Sequence, residues 1–430
     1  MKSFHLLCGL SLALLLGAFS ASASSASADY RIAVAADPHY ISPALTDGGA
    51  CYARTLASGD SKFMEYSEEI LDAFLEELLS AEEAPDALLL VGDLTFNGAV
   101  MSHEALAAKL LPLRTAGIPV LVLTGNHDLY NVNAARFEGE NFTRVPFATT
   151  GLFREIYGGF GFDDALSVAP DSLSYVYALD EGLRILMFDF NTLDHFCGVS
   201  DETLAWAEEQ LREAKEAGAE VIAAGHQNLF RHSIFREGYV IEGAERLADL
   251  LRGFGVRLFL SGHLHIQHIR GEQNLTEIAG SALCSWPCQY GILTSENGTW
   301  SYRTRRLDMA AWAERHGRTE PVFRAFQKAA ADYLTAHSKI TLPAEAAEAD
   351  REKLLSWMRE LNLAYFAGDL RMLADSDLDG SLSAAWLRPK DLTAAYVASV
   401  LDELGRDHTS WTEVPQSNET EETSWETLSP

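Results

Sequence analysis

The sequence predicts an α/β protein in which two sheets meet beneath one polar edge, with a helical appendage after them. Three observations predict this. Apolar, β-type runs alternate with helical stretches from Tyr30 to about Arg306. The runs are continuous, as in strands buried on both faces. Several of them also stop at short clusters of Asp, His and Asn, which therefore lie at the carboxyl ends of the strands, where open α/β sheets bind ligands.

The chain opens on Lys2, an apolar stretch from Leu6 to Phe19, and small residues ending at Ala28. That order is the order of a secretory signal, with cleavage before Asp29. The apolar run is shorter than the ~20 residues a spanning helix needs. The expectation is a secreted or cell-envelope protein with no membrane span in the mature chain. Cys8 falls in this segment, leaving Cys51, Cys197, Cys284 and Cys288. Export permits disulfides, and the 284–288 spacing suits either a local clip or two free thiols. A net charge of −29 argues against specific nucleic-acid binding and against anionic lipid surfaces.

Five strands precede the polar clusters. Residues 31–36 lead into Asp37-Pro38-His39, 87–91 into Gly92-Asp93, and 118–124 into Gly125-Asn126-His127-Asp128. Residues 220–224 lead into Gly225-His226, and 256–261 into Gly262-His263-Leu264-His265. Residues 67–80 and 201–217 carry helical periodicity, the second capped by Asp201 and closed by Gly218. Residues 184–188 add a strand that 175–179 can pair with. After His265 come short strands at 276–279, 290–294 and 300–304, with a turn at Asn297-Gly298. The core thus spans 29–306. The appendage, 307–412, reads as helices over 309–338, 344–366 and 389–404, and an acidic tail over 413–430 reads as disordered. Insertions at 41–63 and 129–164 are placed to form a substrate rim, with Arg54, Lys62, Arg136 and Arg144 as its cations.

Asp, His and Asn collected at one edge make a site of oxygen and imidazole donors, suited to Mn, Fe or Zn. A pair of divalent cations can clamp the attacking and leaving oxygens of a phosphoryl displacement. Such a site needs a bridging carboxylate, for which Asp93 is the natural choice, and a proton donor outside the ligand set, for which His127 is placed. Asp128 either orients His127 or caps the next helix. In the appendage, Asp375-Ser376-Asp377-Leu378-Asp379-Gly380 matches the opening of a calcium loop, but Trp386 stands where a bidentate Glu is required. Calcium at Asp375, Asp377 and Asp379 is therefore weighed against a plain acidic turn.

The order Asp-x-His, Gly-Asp, Gly-Asn-His-Asp, His, Gly-His-x-His resembles that of the calcineurin-like metallophosphoesterase superfamily over roughly Tyr30 to Arg306. The resemblance implies an α/β/β/α four-layer sandwich with a dinuclear centre. It implies that Asp37, His39 and His265 hold one metal and Asn126, His226 and His263 the other, with Asp93 bridging. It further implies a metal-bound hydroxide as nucleophile and His127 as the group that protonates the leaving oxygen. Phe96 stands where purple acid phosphatases carry an iron-binding Tyr, and Gly92–Gly98 lacks the Asp and Arg of protein Ser/Thr phosphatases. The pattern is most similar to class III cyclic-nucleotide phosphodiesterases. The expected function is exported hydrolysis of a small anionic phosphodiester; the alternatives are a phosphomonoesterase of nucleotides or sugar phosphates, and a metal-stabilised scaffold without turnover.

Overall fold

The computed structural model describes residues 29–58, 61–338, 342–343, 350–374 and 380–414. The proposed signal segment, Asp375, Asp377 and Asp379, and the tail beyond Val414 lie outside the described residues. In chain order the strands are β1 (Tyr30–Ala35), β2 (Ala87–Val91), β3 (Val120–Leu123), β4 (Ala135–Glu138), β5 (Asn141–Arg144), β6 (Ser167–Val168), β7 (Tyr175–Ala178) and β8 (Leu183–Phe188). They continue with β9 (Glu220–Gly225), β10 (Leu258–Ser261), β11 (His268–Glu272), β12 (Leu275–Ala279), β13 (Gln289–Glu296), β14 (Thr299–Arg306) and β15 (Ser410–Thr412). The core helices are α1 (Ala50–Ala57), α2 (Ser67–Leu79), α3 (Val100–Thr115), α4 (Thr150–Tyr157), α5 (Asp201–Ala217) and α6 (Ala244–Gly253). The appendage adds α7 (Met309–Arg315), α8 (Pro321–Arg324), α9 (Phe326–His337), α10 (Arg351–Ala367), α11 (Arg371–Ala374), α12 (Gly380–Leu387) and α13 (Leu392–Leu401).

One sheet runs β15-β14-β13-β1-β2-β3 and the other β11-β12-β10-β9-β8-β7-β6. β1, β2 and β3 are mutually parallel, as are β8, β9, β10 and β12, so the carboxyl ends of each group share an edge. Strand alternation explains the layers. β8 turns Ile185 and Met187 towards the other sheet, and Leu186 and Phe188 towards α5 and α6. On the far side, Ile70, Phe74, Leu106 and Leu110 of α2 and α3 close the first sheet. This is the four-layer α/β/β/α arrangement. Burying each such side chain contributes ~1.5–3 kcal/mol.

The appendage docks on the second sheet's active edge. Leu354, Met358, Leu361 and Tyr365 form the buried stripe of α10, which packs with Ile266, Trp386 and Val397. Backbone and side-chain bonds fix this contact: Gln267 N–H donates to Phe366 O (3.1 Å) and Trp286 Nε1–H to Leu363 O (3.0 Å). β15 then returns the chain to the first sheet, antiparallel to β14.

Four local features differ from the sequence reading. Ser200, not Asp201, caps α5: its hydroxyl accepts from Thr203 N–H (2.9 Å), while Asp201 lies inside the first turn, where a carboxylate suits the helix dipole. The stretch 309–338 is three helices, because Gly317 turns left-handed (φ 64°) and Pro321, which lacks an N–H, starts a new one. The insertions 41–63 and 129–164 are structured, carrying α1, the β4–β5 hairpin and α4. Glu413, assigned to the tail, is anchored by Arg257 and by Trp300 N–H. All four cysteines in the described residues are buried free thiols. No helix among the described residues is long and apolar enough to cross a membrane.

Candidate dinuclear metal centre

Where β1, β2 and β10 end, the chain leaves the sheets by turns that few residues tolerate. Asp37 (φ 51°), His39 (43°), Asp93 (47°), His263 (70°) and His265 (60°) all sit in the left-handed region. Asp and His enter it more readily than most residues, yet each such residue costs ~1–3 kcal/mol. The surrounding bonds enforce it. Asp37 N–H donates to Gly92 O (3.2 Å) and His39 N–H to Asp93 O (3.0 Å), while Gly262 N–H donates to His226 O (3.0 Å). Two glycines let these turns interleave. A Cβ on Gly92 would lie 2.5 Å from the His226 ring, and one on Gly125 would lie 2.2 Å from Asp93 N.

The two sheets meet at the site itself. His263 N–H donates to Asp37 Oδ2 (2.9 Å), and His127 N–H to Asp93 Oδ1 (2.8 Å). These bonds leave Asp37 Oδ1 and Asp93 Oδ2 facing a ring of imidazoles. His265 Nε2 is 3.4 Å from Asp37 Oδ1, and His39 and His265 approach to 3.1 Å through Nε2. His226 Nε2 is 3.3 Å from Asp93 Oδ2 and 3.2 Å from Asn126 Oδ1. The donor atoms form two groups: Asp37, His39, Asp93 and His265, and Asp93, His226 and His263, with Asp93 common to both. Asn126 joins the second group through its bond with His226.

The donors fit two cations. Asp37 Oδ1 is buried with no hydrogen-bond partner, an arrangement that costs free energy unless something positive is bound. The tautomers agree. His226 Nδ1–H donates to Val91 O (2.9 Å), leaving Nε2 as a lone pair, and His263 Nε2–H donates to Gly238 O (2.9 Å), leaving Nδ1. Asp37, His39, Asp93 and His226 form a buried floor, while Asn126, His127, His263 and His265 are half-buried and face an open cavity of about 470 Å³.

Charge is balanced against burial. Desolvation, the largest single influence, opposes ionisation of Asp93, but His226, His127 and His39 together outweigh it and hold the carboxyl well below its ordinary range. Desolvation likewise disfavours His226 as a cation, yet Asp93 and Asp37 push it up to about 9. Burial and the neighbouring His226 lower His263 to about 4. A metal ion must displace the His226 proton, so cation binding at neutral pH is expected to release a proton and to weaken by about tenfold per unit as pH falls. In the metal-free protein the Asp93–His226 pairing stabilises the fold below the imidazole's ordinary pKa and is lost as pH rises through about 9. Calorimetry in buffers of different protonation enthalpy measures the released proton directly.

His127 stands apart from both donor groups. Its Nδ1 lies 2.7 Å from Phe96 O, so the N–H there is spent and Nε2 faces the cavity, 3.9 Å from Asp93 Oδ2. Asp128 follows neither of its expected roles. Its carboxylate accepts from Leu94 N–H (3.0 Å), Thr95 N–H (2.9 Å), Thr95 Oγ1–H (3.0 Å) and Gly125 N–H (2.8 Å), tying the Asp93 turn to the Asn126 turn. Burial, with Asp93 nearby, raises its pKa to about 7, so it costs the fold stability progressively as pH rises from the ordinary carboxylate range to that value, and no more above it. An Asp128→Asn substitution offers one oxygen to four donors and is expected to cost ~1–3 kcal/mol in urea denaturation.

Of the predicted rim cations, Lys62 alone lines this cavity; Arg54 and Arg136 pair with Glu140 and Glu138 on the surface, and Arg144 lies over Phe142. Asp189 ties two turns together, accepting from Thr124 Oγ1–H and Leu173 N–H. His268 lies away from the centre, stacked on His408 at 4.0 Å with Glu403 nearby. There His408 Nδ1 accepts Ile269 N–H (3.1 Å), so the neutral ring carries its proton on Nε2, facing Glu403. The two atoms, His408 Nε2 and Glu403 Oε2, are 3.6 Å apart, and neither has a hydrogen-bond partner. Sequence reasoning missed the cavity's other wall, formed by Phe235, Tyr239, Tyr365, Phe366 and Tyr396.

Comparison with known proteins gives one family model, described as calcineurin-like phosphoesterase, over residues 30–267. A probable cyclic nucleotide phosphodiesterase of Rhodococcus erythropolis is 28% identical over 44% of this chain and 55% of its own length. A cAMP/cGMP dual specificity phosphodiesterase of Mycobacterium tuberculosis is 28% identical over 46% of this chain and 54% of its own. The chain thus spans about half the length of these relatives. Among solved structures, a dimetal phosphatase from Danio rerio is 13% identical with a TM-score of 0.48, covering 64% of this chain and 96% of the other.

Proposed function

From the premise that this chain belongs to the calcineurin-like phosphoesterase family, we propose that it hydrolyses small phosphodiesters and is exported. One observation carries the hydrolytic reading: two donor groups share Asp93 and open on a cavity that also presents His127 Nε2. Asp37, His39 and His265 would hold one divalent cation and Asn126, His226 and His263 the other, with Asp93 between them. When bound, the cations supply Lewis acidity to the phosphoryl oxygens and activate water.

The chain's own groups do the rest. The left-handed turns and their backbone bonds fix the ligand directions before substrate arrives, so little reorganisation is left for the reaction. Phe96 O accepts the Nδ1–H of His127 and orients the ring, so that Nε2–H of the doubly protonated imidazolium would point towards the leaving oxygen. The half-exposed face of His127, Asn126 and His265 is where the ester enters. The diester preference is supported by the names of the two relatives, and the absence of the Ser/Thr phosphatase Asp and Arg from Gly92–Gly98 argues against a phosphoprotein substrate. Export is supported by the order of charge, apolar run and small residues before Asp29.

The test loads the chain with Mn²⁺ and compares bis-p-nitrophenyl phosphate with p-nitrophenyl phosphate. Faster diester turnover is expected; a monoester preference would replace this reading with the phosphomonoesterase. Failure to turn over either, with two cations bound, would leave a metal-stabilised scaffold. Amino-terminal sequencing of protein recovered outside the cytoplasm is expected to begin at Asp29.

A further inference from the structure

We infer that Lys62 is a catalytic residue of this centre: its ammonium contacts a non-bridging oxygen of the reacting phosphoryl group and meets the charge that builds there. This rests on the phosphoester reading and adds to it a group from the segment between α1 and α2, outside the donor set.

A lysine is almost never fully buried unless an anion meets it. Lys62 is 6% exposed and is, among the described residues, the only Lys or Arg that is buried. It is also the only Lys or Arg among those lining the cavity, which it shares with Asp93, Asn126, His127, His263 and His265. Burial holds His39 well below the ordinary imidazole range, and the next influence is the Lys62 charge. That charge acts on the ring more strongly than the Asp93 carboxylate 3.6 Å away. Charges act in inverse proportion to distance, so the ammonium stands close to the first donor group.

The backbone holds it there. Ser61 is left-handed (φ 65°), a conformation that persists only where the surroundings enforce it. Ser285 Oγ–H donates to Ser61 O (3.4 Å) and Phe63 N–H to Cys284 O (2.7 Å), so bonds on both sides of Lys62 tie it to the segment after β12. The Phe63 ring packs against Tyr66 at 4.8 Å, Tyr333 at 5.0 Å and Phe326 at 5.4 Å. The charge is therefore in place before substrate arrives.

The reaction needs such a charge. A chain of net charge −29 repels anions except where positive groups reverse the local potential. As the water oxygen bonds to phosphorus and the ester P–O bond breaks, one water proton ends on the alcohol and the other in solvent. A monoanionic diester thus becomes a dianionic monoester, and the added charge falls on the non-bridging oxygens. His127 is directed to the leaving oxygen and does not serve them. Lysine offers three donors and no acceptor, and a fixed cation aimed at a transferring phosphoryl group gains strength as the charge develops.

Lys62→Met keeps the side chain's length and removes its charge. Calorimetry of the Mn²⁺-loaded full chain is expected to show affinity for inorganic phosphate lowered by about tenfold or more. The kcat/KM for bis-p-nitrophenyl phosphate is expected to fall by ~10²-fold. Mn²⁺ itself is expected to bind as tightly or more tightly, because a like charge beside His39 is gone. A purely structural role would weaken Mn²⁺ and phosphate together; that result, or unchanged phosphate affinity, would overturn the inference. A second measurement needs no variant. In the unaltered Mn²⁺-loaded chain, phosphate is expected to slow acetylation of Lys62 by acetic anhydride, read by peptide mass spectrometry, and not that of Lys353, whose side chain is 70% exposed. Lack of protection at Lys62 would overturn the inference whether or not the variant folds. Weakened phosphate binding in Lys62→Met, with no ester turned over by the unaltered chain, would instead overturn the hydrolase reading and keep Lys62 as the anion's contact.

Discussion

An Asp93→Asn variant is expected to lose turnover by ~10³-fold or more and to hold fewer than two cations. The expectation follows from how many tasks one carboxylate performs. Asp93 Oδ1 accepts His127 N–H, and Oδ2 lies 3.3 Å from His226 and 3.6 Å from His39. An amide of the same shape preserves the first contact only if its oxygen takes the Oδ1 place. Its NH₂ then points a donor into the space where both metals require an anion. Burial makes this worse, because Asp93 is 1% exposed and water cannot compensate the lost charge. Metal analysis alongside kcat/KM checks the prediction: two cations per chain with undiminished turnover would refute Asp93 as the shared ligand. The same substitution should do less harm to the metal-free fold, where it removes a buried anion together with the need to protonate His226.

The parts of this centre that could be read from the sequence are those governed by one-dimensional order. A buried parallel strand appears as a continuous apolar run, so the cluster that ends it is placed at the ligand-binding edge without any coordinates. That suffices for Asp37, His39, Asp93, Asn126, His226, His263 and His265. The roles of residues whose partners are distant in sequence were not legible. Asp128 gives no sign that its four donors come from the Leu94, Thr95 and Gly125 backbone and the Thr95 hydroxyl, since turn-to-turn bonding leaves no periodicity. Ser200 and Asp201 both cap helices well, and only the backbone dihedrals decide between them. The aromatic wall was the largest omission. Tyr365 reads as the last position of a helical stripe, and all four positions of that stripe are indeed core; but Tyr365 and its neighbour Phe366 also line a cavity whose opposite side is formed more than a hundred residues earlier.

His127→Ala is expected to lower kcat by ~10²–10⁴-fold while leaving the cation content and KM nearly unchanged. His127 belongs to neither donor group, and its side chain is 28% exposed at the cavity, so its removal opens space without unseating a ligand. Two roles are compatible with its position: donating a proton to the leaving oxygen, or holding a phosphoryl oxygen by hydrogen bonding. The leaving group distinguishes them. p-Nitrophenolate departs readily without a proton, whereas an alkoxide such as a ribose oxygen does not. If Nε2 donates the proton, the variant should lose much more activity on an alkyl diester than on bis-p-nitrophenyl phosphate. If His127 only steadies the phosphoryl group, both losses should match. The hydrogen bond from Nδ1–H to Phe96 O (2.7 Å) fixes the ring and leaves Nε2 as the one nitrogen able to reach the ester, so either role requires the imidazolium with a proton on both nitrogens. Phe96 contributes that carbonyl whatever its side chain, which explains how a residue unable to ligate iron can still be essential to the geometry. Comparable losses on the two substrates would assign His127 to orientation, and the leaving oxygen would then need its proton from water in the open half of the cavity.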